Sequence, residues 1–223
     1  MASTALQDNS FALVTKRAAV STSASVLTDI YQDDVNIAVW QGSMTPDLTN
    51  SVERLLAECP NLRMVVTSSP EDVTNAFVEQ NPTFAKFPEF CQHIATLVDM
   101  FATLFELKRV GIRLTQLDRA MCPKFHIDRV PCRLVSTFFG VATQWLPHES
   151  VDRTKLGAGS LGVSDEQSGI YQHLTDIQEL NIGDVALLKG ETWYNNEGAG
   201  LVHRSPAVAD DAKRLLLTLD FID

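Results

Sequence analysis

Between Phe90 and Phe105, apolar residues recur at spacings of three and four: Phe90, Ile94, Leu97, Val98, Phe101, Leu104 and Phe105. That period gathers one broad apolar stripe on one side of a helix, so "FPEFCQHIATLVDMFATLFEL" reads as the longest helix of the chain. His93 lies beside the stripe and reads as an ordinary helix histidine rather than a ligand. Two shorter helices precede it. In "TPDLTNSVERLLAEC", Thr45 stands as N-cap, Pro46 takes the first helical position, and Val52, Leu55, Leu56 and Cys59 share a face. "SPEDVTNAFVEQN" repeats this logic, with Ser69 as cap and acids in the first turn. "VNIAVWQ" (35–41) and the β-branched run "LRMVVTS" read as strands. Residues 1–25 are rich in Ser, Thr and Ala without periodicity, which predicts a flexible N-terminal arm.

After residue 108 the texture changes. "RVGIRLTQLD", "CRLVSTFFGV", "GDVALLKG" and "RLLLTLDFID" are short β-rich runs separated by Gly, Pro and Asp turns. They predict an antiparallel sandwich or barrel. The Gly- and Ser-rich stretch 155–169 reads as a mobile loop. The expected class is therefore α+β, with an α-rich region over 26–108 and a β domain over 109–223.

Composition adds exclusions. Hydrophobic content of 45% and charged content of 21% in 223 residues are ordinary for a soluble globular protein. A formal net charge of −10, with no basic run longer than Lys108-Arg109, argues against a nucleic-acid partner. No run approaches the length of a membrane span, and the N-terminus has no secretory h-region. Cysteines at 59, 91, 122 and 132 form no CxxC pair, which favours reduced thiols and a cytoplasmic setting. A small-molecule or protein substrate stays open.

Candidate chemistry centres on "CPKFHIDRVPCRL". On a strand, residues two apart face the same way, so His126 and Asp128 project together while Phe125 and Ile127 face the other side. An imidazole and a carboxylate on one face grip a divalent metal. A further histidine, for which His203 in "GLVHRSPAV" is the candidate, completes a facial triad with open positions for substrate and oxygen, as in non-haem iron(II) enzymes. In "RLLLTLDF", Leu215, Leu217, Leu219 and Phe221 share the face that wants a core. Arg214, Leu216, Thr218 and Asp220 share the face that can line a lumen.

The order of HxD, a distal histidine and an arginine opening the next strand resembles the Fe(II)- and 2-oxoglutarate-dependent dioxygenase superfamily over roughly residues 109–223. That resemblance implies a double-stranded β-helix, a jelly-roll or cupin-like barrel, with the helical N-terminal half packed on it. It also implies iron at His126, Asp128 and His203, with 2-oxoglutarate as co-substrate and its distal carboxylate on Arg214. Leu216 stands where the superfamily often has a hydroxyl, with Thr218 two residues on; Arg113 and Arg204 are rival anchors. The strings "CPKFHIDRVPCRL", "TQWLP", "GDVALLKGETW", "HRSP" and "RLLLTLD" together resemble, more specifically, an uncharacterised bacterial family carrying a domain of unknown function, DUF1826. That likeness hints at zinc homeostasis. An alternative reading is thus a non-catalytic zinc-binding protein on the same barrel, softened by Cys122 or Cys132. Trp145 and Trp193 flank the presumed opening as pocket walls, and His148 follows "TQWLP" closely enough to join them. His173 lies in loop text and reads as exposed. No GxSxG elbow, phosphate loop or dinucleotide fingerprint is present.

Overall fold

The computed structural model describes residues 15–222. Its frame is a seven-stranded sheet faced on one side by helices and on the other by a three-stranded sheet. The strands of the large sheet are β1 (Arg17–Ser21), β2 (Val35–Trp40), β3 (Arg63–Ser68), β4 (Val110–Leu117), β5 (Cys132–Phe139), β8 (Val185–Lys189) and β10 (Arg214–Asp220), in the order β1-β2-β8-β5-β10-β4-β3. All neighbours are antiparallel except β1 and β2. The small sheet is β7 (Gln178–Glu179), β6 (Gln144–Leu146) and β9 (Val202–Arg204), in that order. From β5 onward the chain alternates between the sheets: β5 large, β6 and β7 small, β8 large, β9 small, β10 large.

Three helices cover the outer face: α1 (Pro46–Glu58), α2 (Val73–Gln80) and α3 (Pro88–Leu104). The predicted stripe of α3 is buried as expected from Phe90 to Phe101, beside Leu215, Leu217 and Leu219 of β10. Thr45 caps α1 by accepting from the Leu48 N–H at 3.2 Å. Ser69 makes no such cap; its hydroxyl donates to Asp72, and a 3-10 turn over Pro70–Asp72 precedes α2.

Three expectations change. The first half is not a helical body laid on a separate barrel, because β1, β2 and β3 flank the later strands within the same sheet. Residues 1–14 of the expected arm lie outside the described residues, but 17–21 form edge strand β1, not a loose segment. Parallel ladder bonds to β2 and the Arg17–Asp34 ion pair (2.7 Å) hold it, and neither leaves an alternating pattern in the text. The stretch 155–169 is built from turns, including Gly157–Ser160 and α4 (Asp165–Ser168), with the Asp165 carboxylate accepting from the Phe125 N–H at 3.0 Å.

Two apolar clusters lie on the inner side. Ile37, Val39, Val135, Ala186, Leu188 and Leu216 fill the space between the sheets; Phe125, Leu146, Ile170 and Val202 pack behind the small sheet. No helix among the described residues is long and apolar enough to cross a membrane.

Candidate metal centre

His126 forms an isolated antiparallel bridge with His203, each N–H donating to the other's carbonyl at 3.0 Å. The text around residue 126 thus adds itself to the open edge of the small sheet beside β9. The two-residue alternation holds: Phe125 and Ile127 pack in the cluster behind that sheet, and His126 and Asp128 turn the other way. The ligand atoms of His126, Asp128 and His203 all lie within 4.8 Å of one another. Nε2 of His126 is 3.6 Å from Asp128 Oδ1, and Nε2 of His203 is 3.5 Å from Oδ2.

Backbone carbonyls set both rings. Nδ1 of His126 donates to the Lys124 carbonyl (2.9 Å) and Nδ1 of His203 to the Leu201 carbonyl (3.3 Å), so Nε2 is the atom turned toward Asp128 in each. Fixing one ring nitrogen in this way presents the other as a metal ligand. Asp128 has a further partner. Arg133, on β5, donates Nη1 to Asp128 Oδ2 and Nε to Asp220 Oδ1, both at 2.6 Å. Burial alone would raise the Asp128 carboxyl pKa, but the two imidazoles and the Arg133 charge overcome it and hold the group well below the usual carboxylate range. Burial likewise opposes charge on His126, yet Asp128 and the Lys124 carbonyl raise its pKa above the ordinary value. The backbone of Asp128 is pinned as well: its carbonyl accepts from Glu191 N–H at 2.9 Å, and a Cβ on Gly190 would meet the Val130 carbonyl at 2.0 Å.

Arg214 is 1% exposed. Its Nη1 donates to Ser205 Oγ (3.1 Å) and its Nη2 to Thr143 Oγ1 (2.7 Å) and Thr137 Oγ1 (3.3 Å), while Nε has no partner. None of these partners is a carboxylate, and no salt bridge involves Arg214 among the described residues. Burial pushes its pKa down to about 10, so it is still a cation at neutral pH. Ser205 lies two residues past His203, a rise of roughly 7 Å along an extended chain.

The remaining predicted residues divide. Thr218 is buried between the sheets with an unpartnered hydroxyl. Trp145 stands opposite His203 across β6 and β9. Arg204 is taken up by Asp165 (2.9 Å), by Gln144 and by the Phe125 ring, so it is no free anchor. Arg113 stands directly opposite Thr218 across β4 and β10, but it is exposed and lies outside the ligand cluster. Trp193 packs on the helix side with Tyr31, Phe105 and Lys189 and does not wall the centre. His148 instead bonds Arg153, and His173 begins a 3-10 turn. Cys132 faces the helix-side core and Cys122 is exposed; neither belongs to the ligand cluster. Arg133 was the missed residue, although its shared face with Val135 and Thr137 on β5 is the alternation that would have found it.

A family model described as "Protein of unknown function (DUF1826)" matches residues 21–220. The chain belongs to that family. No curated protein matches this DUF1826 chain. Among solved structures, a rice dioxygenase for auxin oxidation is similar at a TM-score of 0.52 and 12% identity, over 93% of this chain and 83% of that one. AviO1 from Streptomyces viridochromogenes is similar at 0.45 and 13% identity, over 91% and 96%. HygX from Streptomyces hygroscopicus, solved with nickel and 2-oxoglutarate, is similar at 0.45 and 11% identity, over 89% and 86%. The DUF1826 chain thus has a mixed α/β fold with a large sheet, like that of the rice dioxygenase.

Proposed function

We propose that this DUF1826 protein is an iron(II)- and 2-oxoglutarate-dependent oxygenase whose two-sheet winding is a double-stranded β-helix. His126, Asp128 and His203 would hold the metal, and Arg214 the distal carboxylate of 2-oxoglutarate. The observation that carries the reading is Arg214: a buried guanidinium with hydroxyl partners and a free Nε, bonded to Ser205, which stands two residues past a ligand histidine. A buried cation without a counter-charge is costly unless an anion arrives. The spacing suits a five-carbon dicarboxylate, one end near the metal and the other on the arginine. Two imidazole nitrogens and one carboxylate, with no thiolate in the cluster, suit iron(II) with open positions better than a closed zinc shell.

When bound, the metal would supply the chemistry by which dioxygen, the oxidant, hydroxylates a C–H bond while 2-oxoglutarate, the two-electron donor, is decarboxylated to succinate and carbon dioxide. The chain's own part is positional. His126 and His203 keep Nε2 aimed inward through their carbonyl bonds, and Arg133 fixes Asp128 so that one carboxylate oxygen stays free for the metal. Thr137, Thr143 and Ser205 orient the Arg214 fork. Leu216, Val135 and Leu188 exclude water between the sheets.

Calorimetric titration tests this. Protein loaded with iron(II) under anaerobic conditions should bind 2-oxoglutarate. Arg214→Met should keep the metal and weaken 2-oxoglutarate by roughly tenfold or more, the loss of a charge-assisted pair. His203→Ala should lose the metal. Full 2-oxoglutarate affinity in Arg214→Met would overturn the assignment.

A further inference from the structure

A second cationic feature lies on β3 and β4, on the same sheet face as Arg214 and beyond it toward the sheet edge. A groove of about 670 Å³ is lined by Arg63 of β3, Arg113 of β4, Arg119, Lys213, Thr115 and Leu117, among others, with Asp118 as its one acidic side chain. The four cations come from separate stretches, and none has a salt-bridge partner among the described residues. This is unusual in a chain with 28 acidic and 18 basic side chains. Arg63 stands directly opposite Thr115 across β3 and β4, and Arg113 lies two residues before Thr115 on the same face. The Thr115 hydroxyl is itself buried and unpartnered. Gathering like charges in a concavity costs energy, and a cleft lined by one sign focuses its field on an oppositely charged ligand.

The groove adjoins the candidate centre. Leu117, in its wall, is directly opposite Arg214 across β4 and β10, and Lys213 is the residue before it. The segment leaving the groove at Met121 continues through Cys122, whose carbonyl accepts from the Ser205 N–H at 2.9 Å, and on to His126.

We infer that this groove holds the anionic end of the substrate, a compact small molecule carrying two or more negative charges as carboxylates or phosphates. The identity of the ligand as a substrate rests on the oxygenase reading; the binding itself does not. The volume falls in the range of small-molecule sites. A long polyanion would have to pass the surrounding surface of a protein with net charge −10, which disfavours nucleic acid.

The test titrates citrate and inorganic pyrophosphate into the metal-free full chain by calorimetry. At least one should bind saturably, and more weakly as salt rises. Affinity should fall at least about tenfold in the doubly substituted Arg63→Gln, Arg113→Gln protein and recover in Arg63→Lys, Arg113→Lys, which keeps both charges. Whichever probe binds more tightly identifies carboxylate or phosphate as the favoured group. His203→Ala should leave this binding intact. Failure of the unsubstituted protein to bind iron(II) or 2-oxoglutarate, with the groove still binding its probe, would sink the oxygenase reading alone. Saturable binding of neither probe, equal binding by the Gln variant, or tighter binding of a single-stranded oligonucleotide or a polyglutamate peptide would overturn the groove assignment.

Discussion

Asp128 carries the most constraints of any side chain in the candidate centre. One oxygen faces His126, the other faces His203 and Arg133, and its carbonyl holds the Glu191 N–H. A guanidinium beside a dication is repulsive, so Arg133 raises metal affinity only if its orienting effect is the larger. Its two 2.6 Å bonds, to Asp128 and Asp220, indicate that it is: they lock the carboxylate rotamer before a metal arrives, and burial limits competition from water. Burial works against the Arg133 charge, but Asp220 and Asp128 more than offset this and raise its pKa. Arg133→Met should therefore weaken metal binding by about 10–100-fold, the usual consequence of removing an outer partner of a ligand. Competition against a chromogenic chelator measures it, with Asp220→Asn as the control that disturbs Arg133 but leaves its bond to Asp128. Unchanged affinity in Arg133→Met would assign Arg133 to structure alone.

At the scale of elements, α3 and β5 meet through rings. Phe90 and His93 of α3 both stand edge-on to Phe138 of β5, with centroids 5.0 and 5.6 Å away. His93 Nε2 is buried without a partner, and desolvation lowers the pKa of the ring below its ordinary value. In the unfolded chain the ring takes up a proton near pH 6.5, while the folded ring stays neutral to lower pH. The unfolded state therefore binds more protons in that window, and His93 makes stability fall as pH drops through about 6.5. His93→Leu keeps the apolar stripe and removes that group. Its urea midpoint should decline less between pH 7 and pH 5.5 than that of the unsubstituted protein, and parallel declines would refute the role.

The same scale explains what periodicity could reveal. α1, α3, β2, β3, β4, β5, β8 and β10 each have a buried face, so their spacing was readable. β6, β7 and β9 are two or three residues long, too short to display a period, and they exist because neighbouring strands supply their ladder bonds. His126, Asp128 and Arg214 were legible because strand alternation assigns faces without knowledge of the partner. The commitment of Arg204 to Asp165, and the placement of Trp193 on the helix side, depend on long-range packing that no local window contains.

For the whole molecule, the texture change near residue 108 suggested a boundary that the sheet does not respect. β2 pairs with β8 and β3 with β4, so strands from before residue 109 cover both flanks of the later ones. Leu134, Phe138, Leu187, Leu215, Leu217 and Leu219 are buried against a cluster supplied largely by α1, α2 and α3. A fragment of residues 109–223 would open both sheet edges and expose that apolar face, an arrangement prone to aggregation or loose collapse. It should bind a hydrophobic dye, lack near-ultraviolet circular dichroism and unfold without a sharp transition, as packing-deficient compact states do. Mixing it with residues 1–108 should restore some cooperative unfolding, because the missing strands and helices return together. A fragment that melted sharply alone, with native near-ultraviolet signal, would show that the β-rich half carries its own core and that the shared sheet is only an accretion.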